Sequence, residues 1–210
     1  MVADRRALTR ATAHLRRADP VMAAIIARVG RCGYEVDARG SAFAALVEAM
    51  MYQQITGRAA ATIHGRLRRL LGRRHPRPAD LLSVSDRDLR GCGLSRQKIA
   101  YLRDLATRAS NGLALRGLGR LDDEVVIGRL CEVKGIGRWT AEMFLMFRLG
   151  RADVLPVDDY GIRKALQRAY GLRALPGPDW MRRRAEPWRP YRTVACWYLW
   201  RSIGGAAGPE

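Results

Sequence analysis

Acidic residues are scarce in this chain. Of its 210 residues, 20 are Asp or Glu against 38 Lys or Arg, a formal net charge of +18. That balance argues against a basic partner and points to a polyanion, nucleic acid first; the alternative is a solvated Arg-rich surface. Cysteine is sparse and scattered. Cys32, Cys92, Cys131 and Cys196 show no C-x-x-C spacing, and His14, His64 and His75 do not cluster with them, so no metal site is expected. The thiols are expected to be reduced, as in the cytosol. No uncharged apolar run approaches the ~20 residues that span a bilayer. Met1–Arg17 is basic and lacks the apolar core of a signal peptide. Period-2 alternation is missing outside short runs such as Asp153–Val157, so the expected fold class is all-α.

What is present is helical periodicity over a chain that is 48% apolar, enough for a real core. Residues 1–17 read as a frayed helix or a basic arm. Asp19 caps a helix that starts at Pro20 and ends at Gly30. Ser41 caps the next, whose stripe is Phe43, Leu46, Val47, Met50 and Met51. That helix ends in Tyr52-Gln53-Gln54-Ile55-Thr56-Gly57, an amide pair that is odd for a core. A helix over Arg58–Leu71 turns Ile63, Leu67 and Leu70 inward. A short helix begins at Ala79–Leu89, and Ser95 caps another over Arg96–Ser110. Trp180–Arg184 reads as a short turn, Pro190–Ile203 as the final helix, and Gly204–Glu210 as a disordered tail.

The informative stretch is Leu130–Ala141, read as helix, hairpin, helix. Asp122 and Asp123 stand at an N-cap, and Val125, Val126, Leu130 and Val133 recur at helical spacing. Gly135 and Gly137 bracket Ile136, which can tuck between the two helices. The second helix restarts at Arg138, and its first turn exposes N–H groups beside two glycines, an anion site. With Lys134 and Arg138 alongside, the natural anion is a DNA phosphate. An ordinary Gly-rich turn between core helices is the other reading.

Twenty positions after Trp139 comes Asp159, within Pro156-Val157-Asp158-Asp159-Tyr160-Gly161-Ile162. Together with Val133-Lys134-Gly135-Ile136-Gly137-Arg138-Trp139-Thr140-Ala141, this resembles the helix-hairpin-helix (HhH-GPD) DNA glycosylases, and within them the 3-methyladenine DNA glycosylase II branch. The resemblance runs from about Asp19 to about Ser202. It implies two helical lobes with a cleft between them: residues 41–154 as one lobe, with the hairpin at about 122–149, and residues 1–40 with 155–210 as the other. Larger bacterial members of this branch carry an extra N-terminal β-rich lobe, for which this chain is expected to be too short at that end.

The resemblance assigns further residues. Gln54, with Gln53 beside it, falls where the family inserts a side chain into the duplex, though two solvated amides are an equal reading. Lys134, Gly135, Gly137, Arg138 and Thr140 fall on the hairpin that meets the DNA backbone, and Arg96 and Lys98 at a turn near it. Trp139, Tyr160 and Trp197 fall at base-pocket positions; Met143 stands where the best-known member has a tyrosine. Only Cys196 lies where some relatives carry a four-cysteine iron–sulfur loop, so no cofactor is expected; the one candidate ion is a structural monovalent cation at the hairpin. The expected partner is double-stranded DNA with damaged bases, met by a monomer in a bacterial cytoplasm, at the nucleoid and not at a membrane.

Breaking the bond between C1′ and a base passes through an oxocarbenium-like state, which a fixed carboxylate stabilises. Adjacent acids on a helix point about 100° apart. Asp158 reads as the N-cap, leaving Asp159 to face the cleft as the catalytic acid. Bifunctional relatives carry a lysine at the position of Trp139, and tryptophan cannot form a Schiff base. The expected activity is therefore monofunctional release of alkylated bases, 3-methyladenine and 7-methylguanine. Release of another lesion (uracil, hypoxanthine or an oxidised purine) and a non-catalytic DNA-binding module are the alternatives.

Overall fold

The computed structural model describes residues 4–53 and 57–204, and every regular element among them is helical. The chain divides into two compact units: Ala38–Phe144, and the two ends, through Asp37 and from Leu145 onward. The division falls inside one helix, Arg138–Phe147.

The unit of chain ends holds α1 (Arg5–Ala18), α2 (Pro20–Val29), and three later helices. The basic N-terminal segment is not an arm. Asp4 caps α1 through Ala7 N–H, and Ala7, Ala11 and Leu15 bury one stripe. Helix α1 packs on α2, and burying a leucine such as Leu15 contributes about 1.5–3 kcal/mol. The expected turn at 180–184 is a helix, α11 (Pro178–Arg184), with proline at its first position. The last helix, Arg192–Ser202, is buried continuously from Thr193 to Trp200. A helix apolar on all sides belongs at the centre of its unit, and this one packs against α1, α2 and the helix Tyr160–Ala169.

A buried carboxylate ties the same unit together. Asp19 caps α2 through Val21 N–H at 2.9 Å and also accepts from the Tyr170 hydroxyl and from Trp188 Nε1 at 2.9 Å. Arg184 lies 3.0 Å from Oδ2, the oxygen that Tyr170 and Trp188 share, with its guanidinium carbon 4.4 Å from the centre of the Tyr170 ring. Burial pushes the carboxyl up, but the three donors and Arg184 outweigh it and hold Asp19 below its ordinary value.

The middle unit runs in chain order α3 (Ala42–Tyr52), α4 (Gly57–Leu70), α5 (Pro78–Ser83), α6 (Asp86–Gly91), α7 (Arg96–Ser110), α8 (Asp123–Cys131) and α9 (Arg138–Phe147), the last crossing out of it. The one short helix expected near residue 79 is two, broken at Val84-Ser85, where Ser85 caps the second. Helix α7 packs against α3, α5 and α6. From it Arg103 donates to the carbonyls of Leu81 and Val84 and to Asp86, stapling the α5–α6 corner. Val125, expected in the α8 stripe, is exposed; Val126, Ile127 and Leu130 are the buried face. Leu70 is likewise exposed. Among the described residues no helix is long and apolar enough to cross a membrane.

Candidate functional site

Hairpin geometry follows from its glycines. Gly135 has φ +84°, and a Cβ there would stand 2.2 Å from the Tyr101 ring, so both backbone and packing demand glycine. Ile136 N–H bonds Val133 O at 3.0 Å, closing the turn, and Ile136 is buried as expected. Gly137 differs: its φ is ordinary and a Cβ would meet nothing within 4 Å. Its bare backbone faces open space at the first turn of α9.

Several expected phosphate contacts already have partners inside the protein. Arg138 makes a two-pronged pair with Glu124 and a further bond to Glu142 at 3.1 Å, bracing α9 against the start of α8. Paired with two carboxylates, it offers a phosphate little net charge. Lys98 Nζ donates to Met51 O at 2.6 Å and Gln53 O at 2.8 Å; burial pushes its ammonium below the usual lysine value. Thr140 is buried, and its hydroxyl accepts from Gln53 Nε2 at 3.1 Å. Gln53 Nε2 also donates to Gly135 O at 3.0 Å, so this amide bonds the hairpin and is not solvated at a helix end. Gln54 lies outside the described residues. Lys134 and Arg96 are exposed; the backbone N–H of Lys134 bonds Asp104 at 2.9 Å. Gly135 O accepts from Gln53 Nε2 and Val133 O from Ile136 N–H, one hydrogen bond each. No cluster of three or more metal-binding side chains occurs among the described residues.

The acids of the 156–162 turn sit the other way round from the sequence expectation. Asp159, not Asp158, is the N-cap of α10 (Tyr160–Ala169): its Oδ1 accepts from Ile162 N–H at 2.7 Å. Asp159 N–H bonds Pro156 O at 3.1 Å, so the proline turn sets the cap. Asp159 is 7% exposed and Asp158 is exposed. The same Oδ1 accepts from Trp200 Nε1 at 2.9 Å, a partner that sequence reasoning missed. A Cβ on Gly161 would stand 3.0 Å from the Trp200 ring and 3.2 Å from Asp159 Oδ1. Glycine at 161 is the signal that something large packs there.

Two of the expected base-pocket aromatics are surface residues: Trp139 is 39% and Tyr160 66% exposed. Trp197 is buried on α12 (Arg192–Ser202), edge-on to Tyr198 with ring centres 5.0 Å apart and close over Gly33. Met143 is buried on α9.

An all-helical chain with a glycine hairpin between two helices, and beyond it a buried carboxylate capping a helix, defines a helix-hairpin-helix protein. The pattern of the HhH-GPD superfamily of base excision DNA repair proteins matches residues 47–190, and the chain belongs to that superfamily. DNA-3-methyladenine glycosylase 1 of Schizosaccharomyces pombe is 36% identical over 160 residues, covering 75% of this chain and 70% of that protein. The solved Schizosaccharomyces pombe 3-methyladenine DNA glycosylase in complex with abasic DNA matches with a TM-score of 0.81 at 32% identity, over 96% of this chain and 100% of that one. A DNA-3-methyladenine glycosidase structure from Bacillus halodurans matches with a TM-score of 0.81 at 35% identity, over 92% and 89%.

Proposed function

We propose that the protein is a monofunctional DNA glycosylase that hydrolyses the N-glycosidic bond of alkylated bases, 3-methyladenine and 7-methylguanine foremost, in double-stranded DNA. The observation that carries this is Asp159: an acid buried and oriented by two donors, in a chain whose relatives bear the name DNA-3-methyladenine glycosylase. A carboxylate held in place needs no reorganisation as positive charge builds on the deoxyribose, and it orients the attacking water.

Phosphate contact falls to the open backbone at Gly137, the N–H groups opening α9, and the exposed Lys134 and Arg96. Trp139 and Tyr160, each exposed in its own unit, are each proposed as an aromatic surface for DNA bases; Met143 and Trp197 are buried, each within its own unit. The bifunctional lysine position holds Trp139, so the strand is left uncut. The enzyme works as a monomer in the cytoplasm.

The test is direct. Duplex DNA treated with a methylating agent is incubated with the protein, released bases are separated by chromatography, and the strand is examined for nicks. Free methylated purines and an intact abasic strand are expected. Release of uracil or an oxidised purine alone would move the activity to another lesion; no released base of any kind would leave a binding module.

A further inference from the structure

We infer that Lys98 and Gln53 are positioning residues, and that α7 fastens the end of α3 to the hairpin so that the two act on duplex DNA as one rigid part. The DNA side of this inference rests on the glycosylase reading; the fastening does not.

Lysine near the start of a helix is electrostatically misplaced, because the helix N-terminus is already positive. Lys98 occupies the first turn of α7 and is partly buried as well. Its position is explained by what it touches. Met51 O and Gln53 O belong to the last turn and the C-cap of α3, the negative end of that helix, whose carbonyls have no helical partner. The ammonium closes that end. Gln53 then passes the link on, through its side chain, to Gly135 O and Thr140 Oγ1.

Helix α7 holds the hairpin directly too. Lys98, Tyr101 and Asp104 recur every three residues and so lie along one face. Tyr101 fills the space beside Gly135, and Asp104 accepts the Lys134 N–H at 2.9 Å. The result is a closed ring of contacts: α7 to the end of α3, α3 to the hairpin, and the hairpin back to α7. Each link is a side chain, so each can be opened without altering a backbone.

Hydrogen exchange on the DNA-free protein reads the fastening. Lys98→Met and Gln53→Met should each raise exchange about tenfold or more at the amides of residues 133–140, although Lys98 touches none of them. Lys98→Arg, which can still donate to two carbonyls, should restore most of the protection. On methylated duplex, Lys98→Met should lower the single-turnover rate about 10–100-fold, the scale expected of small misplacements. The salt dependence of duplex affinity should stay as in the wild type. Arg96→Ala is the contrast: loss of a true phosphate contact should reduce the salt slope by about one. Unchanged exchange at 133–140 in Lys98→Met would overturn the fastening, and a salt slope reduced by one in that variant would make Lys98 a phosphate ligand instead. A wild-type protein that released no base, with the exchange pattern as expected, would sink the glycosylase reading and leave the fastening standing.

Discussion

Trp200 donates its indole Nε1–H to Oδ1 of Asp159 at 2.9 Å, across from the Ile162 N–H that the same oxygen accepts. The bond exists because α12 is buried on all sides and packs on α10, and because residue 161 has no side chain. Trp200→Phe keeps a ring and removes the donor. A hydrogen bond to a charged group contributes about 1.5–3 kcal/mol. The variant should excise methylated bases about tenfold more slowly in single turnover, with duplex affinity unchanged. Gly161→Ala should act in the same direction by displacing the indole. Equal rates in both variants would show that the carboxylate is held well enough by its helix alone.

Asp159→Asn separates chemistry from capping. Asparagine caps a helix as well as aspartate does, so the stability cost should stay below about 1 kcal/mol. Base release should be abolished, while duplex affinity holds or rises as a negative charge leaves the neighbourhood of phosphates. Asp158→Asn, at an exposed position, should change neither. Thermal unfolding, base release and equilibrium binding on the two variants decide the matter, and full activity in Asp159→Asn would remove this residue from the reaction.

Most helix positions and the hairpin were legible in the sequence because they rest on local rules, namely apolar spacing, Ser and Asp caps, and glycines bracketing Ile136; the helix Pro178–Arg184 and the break at Val84-Ser85 were not. The reading failed where a partner distant in sequence decides. The arginines of α1 hide the stripe Ala7, Ala11, Leu15, because alanine gives almost no hydrophobic signal on its own. Asp158 and Asp159 both fit an N-cap; the choice depends on the Pro156 turn and on Trp200, 41 residues further on. Lys98, Arg138 and Gln53 look like surface polar residues, and only the folded chain shows the carbonyls and carboxylates that hold them.

Gly135 and Gly137 look alike in sequence, yet they should fail differently. Gly135→Ala forces a positive φ on alanine and drives a methyl into Tyr101, so it should destabilise the protein by about 1–3 kcal/mol. Gly137→Val meets nothing in the protein itself, and its stability cost should be small. It should weaken binding to all duplexes alike, since backbone contacts position and do not specify. A Gly137→Val protein with wild-type affinity at every salt concentration would take the hairpin out of the interface.

Asp19 gives the pH dependence of stability a defined sign. Its carboxyl is held below the ordinary value of 3.8 in the folded chain, so the unfolded chain binds its proton more readily. The stability it contributes is complete above the unfolded value and is lost as the pH falls through the lower, folded one. Asp19→Asn should cost about 1–3 kcal/mol at neutral pH, by loss of charge-assisted bonds from Tyr170, Trp188 and Arg184. Its stability should also fall less steeply below pH 4 than that of the wild type. Denaturant unfolding between pH 3 and 7 measures both. Parallel pH curves for the two proteins would mean that Asp19 is not what titrates.

Which bases leave depends on charge. Methylation at N3 or N7 of a purine makes the base cationic and a better leaving group, so little acid catalysis is needed to expel it. A cation against an aromatic face gains about 0.5–2 kcal/mol, more where water is excluded. Trp139 and Tyr160 are both exposed large aromatics that can present such faces. Stacking tolerates many base shapes, so selection should follow charge and leaving ability more than hydrogen-bond pattern. 3-Methyladenine and 7-methylguanine should therefore appear before neutral lesions such as uracil or 8-oxoguanine. Trp139→Ala should slow release of the cationic bases about tenfold, and Tyr160→Ala should slow it in the same direction, with folding intact in both. Trp139→Phe should recover part of the loss, because a smaller ring still offers its face. Should Trp139→Ala lower the release of cationic and neutral bases by the same factor, the ring would be acting through shape alone, and the selectivity would have to come from elsewhere, with Met143 the first position to vary.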